Sequence, residues 1–286
     1  MSLGYLSALL YIALTVFSIL FVENKFTIMR DSSATLFLAM IIASIVFTVI
    51  GYKDAKKSYS NIIKETRSYI YVSLWVGLTW VFTIYGVAYS NGFLINLFLF
   101  LTAAVISYLL IFLKSKVKSY LIVFICGTLV LFVALLCNLH LTLGIFICFL
   151  AGLASFLYRK SSGDYAAKTN TGAIAILMTR FWPMIIIFAF FVDYHNVGYI
   201  LSNHFGLLII FSLCSLVIPT FFGQYAVNVI GAEKASMIFA FIFPFTWLGE
   251  LVAKNPVASS IPSLILSVCA TVIICMPYVF KKYFKL

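Results

Sequence analysis

Long apolar stretches separated by short polar breaks run along the whole chain. A bilayer core about 30 Å thick needs about 20 apolar residues per helix, and cutting the sequence at its charged and polar breaks gives segments of that length. The ten predicted spans are Leu3–Val22, Ala34–Tyr52, Ile70–Ser90, Gly92–Leu113, Tyr120–Cys137, His140–Tyr158, Ala173–Val192, Phe205–Asn228, Ala235–Val252 and Val257–Phe280. Even the longest connection, residues 53–69, is too short for a soluble domain.

Composition agrees with a membrane environment. The 286 residues are 64% hydrophobic and only 9% charged, whereas about 25% of the residues in soluble domains are charged. We therefore predict an all-α integral membrane protein that forms one compact unit in the lipid bilayer. The net charge of +11 does not predict a nucleic-acid partner, because membrane orientation accounts for the positions of the basic residues.

The basic residues fall mainly on alternate connections between the predicted spans. If the N-terminus is cytoplasmic, 15 of the 19 Lys and Arg residues lie in inner connections, three lie in outer ones, and Arg180 lies within a span. Loop Lys and Arg residues concentrate on the cytoplasmic side of membrane proteins. The sequence thus predicts a multi-pass protein of the plasma (inner) membrane with both termini in the cytoplasm.

An internal similarity divides the chain into two halves. Shifting the sequence by 140 residues pairs Gly4 with Gly144, Thr15 with Ser155, Tyr85 with Tyr225, Val87 with Val227, and Asn96 with Ser236. Five spans lie on either side of Asn138, and an odd number gives the two halves opposite membrane orientations. Residues 1–138 and 139–286 are therefore predicted to be inverted five-helix repeats around a central cavity.

Arg180 is the one basic residue inside a long apolar run. An arginine at the centre of a membrane helix costs about 2.5 to 3.5 kcal/mol on insertion scales. At 1.5 Å per residue, its position seven residues past Ala173 places it about 10 Å inside the inner edge of the core. Contact with a substrate or cavity, extension of the side chain to inner water, and a structural tie to nearby carbonyls remain open alternatives.

Other polar and aromatic residues within the spans are candidates for the cavity wall. Trp80 lies in the middle of the third span, Asn96 in the fourth and Trp247 in the ninth, while Gln224 and Tyr225 lie in the inner half of the eighth. Contact between helices is the alternative for each, because polar side chains in lipid usually face neighbouring helices.

Two prolines predict interruptions of the membrane helices. Pro219 and Pro244 each remove one backbone donor from a predicted span. Irregular backbone at membrane depth is tolerated inside protein or beside a water-filled cavity. We therefore predict helix breaks with a role in gating at these two positions.

The second half resembles a known transporter family. A tyrosine-containing eighth helix, a turn at Gly231-Ala232, and a ninth helix with the central Pro244 and a terminal Gly249-Glu250 are similar to the EamA-like branch of the drug/metabolite transporter superfamily. The segment 144–159 resembles the helix that opens the second repeat of that family, whose seventh helix often carries an arginine where Arg180 stands. In motif detail the resemblance covers residues 144–250.

The resemblance implies ten helices around a central cavity with alternating access. The first, third, fourth, sixth, eighth and ninth helices would line this cavity, which adds Tyr11 and Ser155 to the candidate substrate-binding residues. The implied partners are a small-molecule substrate and a coupling proton or counter-substrate. The sequence leaves open whether the protein is a monomer or a homodimer.

The distribution of charge favours one class of substrate. All eight carboxylates lie at span ends or in connections, namely Glu23, Asp31, Asp54, Glu65, Asp164, Asp193, Glu233 and Glu250. Arg180 is then the deepest charge, and a guanidinium pairs bidentately with carboxylates and phosphates. We expect a secondary transporter of an amino acid or a related anionic metabolite, with export as one direction.

Three other functions are alternatives. One is uptake or exchange of a cationic or nucleotide-like metabolite, resembling choline or S-adenosylmethionine, for which an aromatic cage would suffice. The second is drug efflux. The third, a membrane-embedded lipid-modifying enzyme, is disfavoured because the sequence has no H-E-x-x-H motif and no Asp-rich motif. We accordingly expect no enzymatic activity, cofactor or metal.

Overall fold

The computed structural model describes residues 3–25, 32–230, 232–255 and 260–284, without the side chains of 24, 25, 32, 227, 228, 232–234, 236 and 280–284. Its α-helices are α1 (Leu3–Lys25), α2 (Ser32–Ile50), α3 (Ala55–Lys64), α4 (Thr66–Tyr89), α5 (Gly92–Ser115), α6 (Lys118–Cys137), α7 (Thr142–Thr169), α8 (Ala173–Thr179), α9 (Trp182–Phe191), α10 (Tyr194–Asn203), α11 (Phe205–Phe211), α12 (Ile218–Ile230), α13 (Ala232–Phe239), α14 (Ile242–Val252) and α15 (Ile261–Phe284). Gly231 of the predicted turn, Val257 of the tenth predicted span, Arg30 and Asp31 lie outside the described residues.

Nine helical segments of the described chain are long and apolar enough to cross a membrane. They are Leu3–Glu23, Ser33–Ile50, Thr66–Tyr89, Gly92–Ser115, Lys118–Cys137, Leu139–Thr169, Ala173–Phe191, Phe205–Ala226 and Ile261–Val279. Each overlaps one predicted span, which confirms a multi-pass, all-α membrane protein. The remaining predicted span, Ala235–Val252, corresponds to a shorter apolar segment, Met237–Val252.

Large apolar side chains cover the outer surface of the bundle. Phe190 and Phe191 in α9 are 81% and 82% exposed, and Phe132 in α6 is 54% exposed. Such exposure would be costly in water, where apolar surface is driven inward. In lipid the same surface faces hydrocarbon, so these helices are suited to lie at the boundary with the bilayer.

Glycines allow α7 to pack closely between α4 and α5. A Cβ atom at Gly144 would lie 2.2 Å from the carbonyl oxygen of Tyr89, and one at Gly152 would lie 2.5 Å from the carbonyl oxygen of Phe98. Small residues let helix backbones approach in this way when no hydrophobic force pulls the helices together. The helix continues past the predicted end at Tyr158, because the polar residues beyond it still favour helix and Tyr165 packs against Tyr69.

Two predicted spans are each divided into half-helices. The seventh is interrupted at Arg180 and Phe181, between α8 and α9, and the ninth at Ala240 and Phe241, between α13 and α14. Pro183 and Pro244 lie in the first turns of the two second halves, where a missing backbone donor costs least.

The eighth span is widened, not broken. A π-helical turn covers Ser212–Val217, and the helix then continues through Pro219 as the second residue of α12. The break predicted at Pro219 is therefore wrong. In a π-helical turn each N–H donates to the carbonyl five residues earlier instead of four, which changes the helix register locally. The helix can thereby accommodate the ring of Pro219 and its missing N–H donor.

Candidate functional site

The break in the seventh span places Arg180 in the interior of the bundle. Pro183 has no backbone N–H, so the carbonyl of Thr179, four residues earlier, lacks its helical donor. The hydroxyl of Tyr69 in α4 donates to that carbonyl at 2.7 Å. Arg180 follows directly, and its side chain is only 2% exposed. One alternative from the sequence required this side chain to extend to water on the inner side. Its burial contradicts that alternative.

Hydroxyl groups and aromatic rings surround the Arg180 guanidinium. Nη1 donates to the hydroxyl of Tyr158 at 2.9 Å, and Nη2 donates to that of Thr220 at 3.4 Å. The guanidinium carbon lies 4.5 Å from the ring centroid of Phe181 and 5.8 Å from that of Tyr158. These contacts lower the cost of burial, although neither hydroxyl supplies a negative charge.

The charge of Arg180 has no carboxylate partner within the described residues. Its Nε–H also has no hydrogen-bond acceptor there. Thr220 uses its hydroxyl proton in a bond to the carbonyl of Leu216, whereas the hydroxyl proton of Tyr158 has no acceptor among the hydrogen bonds of the described chain. Nε–H and the Tyr158 hydroxyl are thus among the donors available beside one buried positive charge.

A cavity of about 370 Å³ lies at the ends of the helices that the predicted orientation places on the inner side. Its lining is largely aromatic and apolar, consisting of Phe100, Ala104, Ser107, Tyr108, Ile111, Tyr120, Arg159, Met237, Phe239, Ala240, Ile274, Pro277 and Tyr278. Its volume falls in the range of about 300 to 1,000 Å³ that is usual for small-molecule sites. Arg159 lies over the ring of Phe100, 5.8 Å from its centroid.

Irregular backbone forms part of the cavity wall. Pro244 leaves the carbonyl of Ala240 without its regular helical donor, so that this carbonyl accepts from the N–H of Phe243 at 3.4 Å. The hydroxyl of Thr271 in α15 lies 3.1 Å from the same carbonyl and 2.9 Å from the carbonyl of Ser267, and its proton is shared between the two. Tyr108 donates to the carbonyl of Ile274 at 3.0 Å, one turn before the helix-internal Pro277. Backbone interrupted in this way at membrane depth is expected next to a cavity.

Two tyrosines connect the cavity to Arg180. Tyr158, which accepts a hydrogen bond from Arg180, is followed by the cavity-lining Arg159. The ring of Tyr11 in α1 lies 4.3 Å from that of the cavity-lining Phe239, and it packs against Gly223, one turn after Thr220. Tyr158 and Tyr11 thus each join the surroundings of the guanidinium to a residue of the cavity wall.

Three of the predicted cavity residues contact other parts of the protein instead of the cavity, either on another segment or within their own helix. Asn96 in α5 is fully buried, and its Nδ2 donates to the hydroxyl of Thr246 in α14 at 2.9 Å. Trp247 donates from Nε1 to the carbonyl of Ser260 at 3.2 Å. The ring of Tyr225 stacks against Phe221 in the same helix.

The other predicted residues are dispersed. Trp80 is half-buried against the apolar core, Ser155 is buried in α7, and Gln224 is exposed. None of the predicted residues lines the 370 Å³ cavity. Tyr11 contacts the cavity-lining Phe239, and Arg180 is bonded to Tyr158, which precedes the cavity-lining Arg159 in sequence.

Sequence reasoning missed the residues of the inner cavity. Tyr108, Tyr120 and Tyr278 lie near the inner ends of predicted spans, where tyrosines are expected at the membrane interface. Arg159 was counted only as a basic residue of an inner connection. The usable signal was Pro277, which lies inside the last helix beside these tyrosines and removes one backbone donor there.

Fold and interior together define a multi-pass α-helical membrane protein with interrupted helices around a buried cation and a small-molecule cavity. No protein-family model matches the chain, and no curated protein or solved structure matches it at a significant level.

Proposed function

We propose that the protein is a secondary transporter that moves a small metabolite bearing a carboxylate or phosphate group by alternating access. In this proposal ten membrane helices form two inverted five-helix repeats, as in the EamA-like branch of the drug/metabolite transporters that the sequence resembles. Amino acids and related organic acids are the substrates that best combine a suitable size with an anionic group.

Close helix contacts support the proposed repeats. Gly144 at the start of α7 meets Tyr89 and Ser90 at the end of α4, and Gly4 at the start of α1 meets Val229 and Ile230 at the end of α12. Gly144 lies 140 residues after Gly4, and Val229 and Ile230 lie 140 residues after Tyr89 and Ser90. This is the offset found in the sequence.

The larger packing pattern supports the same relation. The helix α7 packs against α4 and α5, while α1 packs against α12, α13 and α14. Under the 140-residue offset α7 corresponds to α1, α4 to α12, and α5 to the ninth span that α13 and α14 form. Inverted repeats of this type commonly frame a substrate site between them.

The interrupted helices and the cavity support transport over a purely structural role. Half-helices in membrane transporters typically surround the substrate, because free backbone groups need a polar environment. Here the two breaks lie at Arg180 and at Ala240, and Ala240 lines the cavity. In the proposed orientation, with both termini in the cytoplasm, this cavity faces the cytoplasmic side.

The observation that carries the substrate class is the uncompensated charge of Arg180. A buried cation without an acidic partner is strongly unfavourable unless a ligand or water supplies what the protein does not. A carboxylate or phosphate would accept hydrogen bonds from Nε–H and from the Tyr158 hydroxyl. Movement of Tyr11 and Tyr158 would connect this position to the cavity.

The test is counterflow in vesicles containing the purified protein, using a panel of labelled amino acids, organic acids and phosphate esters. Replacing Arg180 by Ala removes charge-assisted hydrogen bonds of about 1.5 to 3 kcal/mol each, so the apparent affinity for an anionic substrate falls by about ten-fold or more. Arg180→Lys keeps the charge but loses the fork geometry, and we expect it to be intermediate.

Arg67→Ala is the matched control, because Arg67 is exposed at the start of α4. It should transport with wild-type affinity. If Arg180→Ala and Arg180→Lys melt at wild-type temperature and retain the wild-type affinity for anionic substrates, the substrate-binding role of Arg180 is wrong.

A further inference from the structure

Two carboxyl groups meet at the predicted outer end of the bundle. Glu23 lies at the end of α1 and Glu250 near the end of α14, and both reach Gly92, the first residue of α5. A Cβ atom at Gly92 would lie 2.6 Å from Oε1 of Glu250 and 2.8 Å from Oε2 of Glu23. The absence of a side chain at Gly92 thus leaves the space in which the two carboxyl groups face each other.

The hydrogen bonds formed at this pair go to Glu23, although the Phe93 N–H and the Asn255 amide also lie near Glu250. Oε2 of Glu23 accepts from the backbone N–H of Gly92 at 3.2 Å, and Oε1 accepts from Nδ2 of Asn255 at 2.8 Å. The N-terminus of α5 adds the positive end of a long helix dipole. Glu23 is therefore placed to carry the negative charge.

Glu250 has the opposite surroundings. It is 1% exposed, and neither of its carboxyl oxygens has a hydrogen-bond partner in the described structure. An ionised carboxylate without donors, out of water and beside a second carboxylate, is strongly unfavourable. A neutral carboxylic acid at the same position can donate its proton to Glu23 and removes both costs.

No described cation compensates for a second negative charge here. The helices packed against α14 are α1, α5 and α15. At this end of the bundle α1 carries Glu23. The nearest other titratable residues in sequence are Tyr89 at the end of α4 and Lys254 after α14, and the side chains of Tyr89 and Lys254 are exposed. The side chain of Lys25 is outside the described residues.

A proton suits this site better than a metal ion. The N–H of Gly92 and the amide NH₂ of Asn255 both point hydrogen atoms towards the carboxylate oxygens. Metal cations need oxygen ligands and are repelled by such donors. The described residues also contain no group of three or more His, Cys, Asp or Glu side chains that could hold a metal.

We propose that Glu23 and Glu250 bind one proton between them, and that release of this proton to the outer water is coupled to opening of the outer side of the transporter. With the proton bound, Glu250 donates to Glu23 and holds α14 against α1. After its release the two carboxylates repel each other. The coupling part rests on the proposed transport function, whereas the proton site does not.

Infrared difference spectroscopy of the purified protein tests the proton site directly. A buried protonated carboxyl gives a carboxylic C=O band that disappears as the pH is raised. We expect Glu250→Gln to lose this band, while Asp193→Asn, which changes an exposed outer carboxylate, retains it. A band of unchanged size and pH dependence in Glu250→Gln overturns the proposal.

Thermal unfolding provides a second readout of the site. A group that is protonated in the folded state and ionised when unfolded stabilises the fold at low pH, and this contribution disappears as the group loses its proton in the folded state. The melting temperature of the wild type should fall relative to that of Glu250→Gln as the pH rises from about 5 to about 9, the range in which buried carboxyls titrate. Parallel melting curves across that range contradict a proton bound by Glu250.

Transport in vesicles separates the coupling from the function itself. If an imposed pH gradient drives accumulation in the wild type and fails to do so in Glu250→Gln, with counterflow retained, the coupling is supported. Flux that depends on Arg180 but ignores the pH gradient overturns the coupling and leaves the proposed function intact. Absence of counterflow for every substrate of the panel overturns the proposed function, flux that does not depend on Arg180 overturns only the substrate-binding role of Arg180, and the infrared band still decides the proton site.

Discussion

Replacing Tyr69 by Phe tests whether the break beside Arg180 depends on one hydrogen bond from another helix. The Tyr69 hydroxyl donates at 2.7 Å to the carbonyl of Thr179, which Pro183 deprives of its helical donor. The substitution removes the donor and leaves the rest of the buried ring in place. Polar contacts between membrane helices contribute about 0.6 kcal/mol on average, and up to about 1.7 kcal/mol. An unsatisfied buried carbonyl costs about 1 to 3 kcal/mol, so we expect Tyr69→Phe to cost about 1 to 2 kcal/mol.

A double-mutant cycle with Pro183→Ala identifies the cause. Alanine restores a backbone N–H that can donate to the Thr179 carbonyl, so the Tyr69 hydroxyl becomes partly redundant. The cost of Tyr69→Phe should therefore be smaller in the Pro183→Ala background. The coupling energy between neighbouring residues that share one partner is typically about 0.5 to 3 kcal/mol.

Reversible unfolding of the protein in bicelles gives the four free energies. Tyr71→Phe is the control, because Tyr71 lies in the same helix with its side chain 43% exposed, and it should be neutral. An equal cost of Tyr69→Phe with and without Pro183 would refute the explanation, since the hydroxyl would then stabilise the fold by another route.

Two further substitutions test the packing and the second break. Gly144→Ala forces a Cβ to within 2.2 Å of the Tyr89 carbonyl and should destabilise the protein by about 1 to 3 kcal/mol, whereas Gly163→Ala, in open space on the same helix, should be neutral or slightly stabilising in thermal unfolding. Thr271→Val removes a hydroxyl that the Ala240 carbonyl shares with the Ser267 carbonyl of α15, and it should cost about 1 kcal/mol and alter counterflow rates. A control, Thr128→Val, loses only a bond within its own helix; equal costs for the two threonines would contradict a special role for the Ala240 cap.

The membrane helices could be predicted from the sequence because the bilayer fixes their length. Charged residues are costly in the hydrocarbon core, so the breaks in the apolar pattern mark most span ends within a few residues, although α7 continues past Tyr158 to Thr169. The same reasoning located Pro244 at an interruption. It misplaced the effect of Pro219, because a change of helix register by a π-helical turn leaves no signature in the apolar pattern.

Contacts between residues distant in sequence could not be predicted in this way. Glu23 and Glu250 both lie at predicted outer ends, but their meeting at Gly92 depends on how α1, α5 and α14 pack. Likewise, the donation from Asn96 to Thr246 settles one role of Asn96 that its polarity left open. An apolar pattern shows which residues avoid lipid and gives little indication of which partner each residue finds.

The break in the ninth span connects the two proposed sites mechanically. Ala240 lies at the break and lines the cavity, while Glu250 lies near the far end of α14, beside Glu23. The 11 residues of α14 extend about 16 Å at 1.5 Å per residue. A tilt of about 10° at the break would thus move the far end by about 3 Å, enough to separate a hydrogen-bonded carboxyl pair. Conversely, proton loss that pushes α14 away from α1 would shift the backbone at Ala240. The proposed substrate in the cavity and the proposed proton between Glu23 and Glu250 would then act on the same helix.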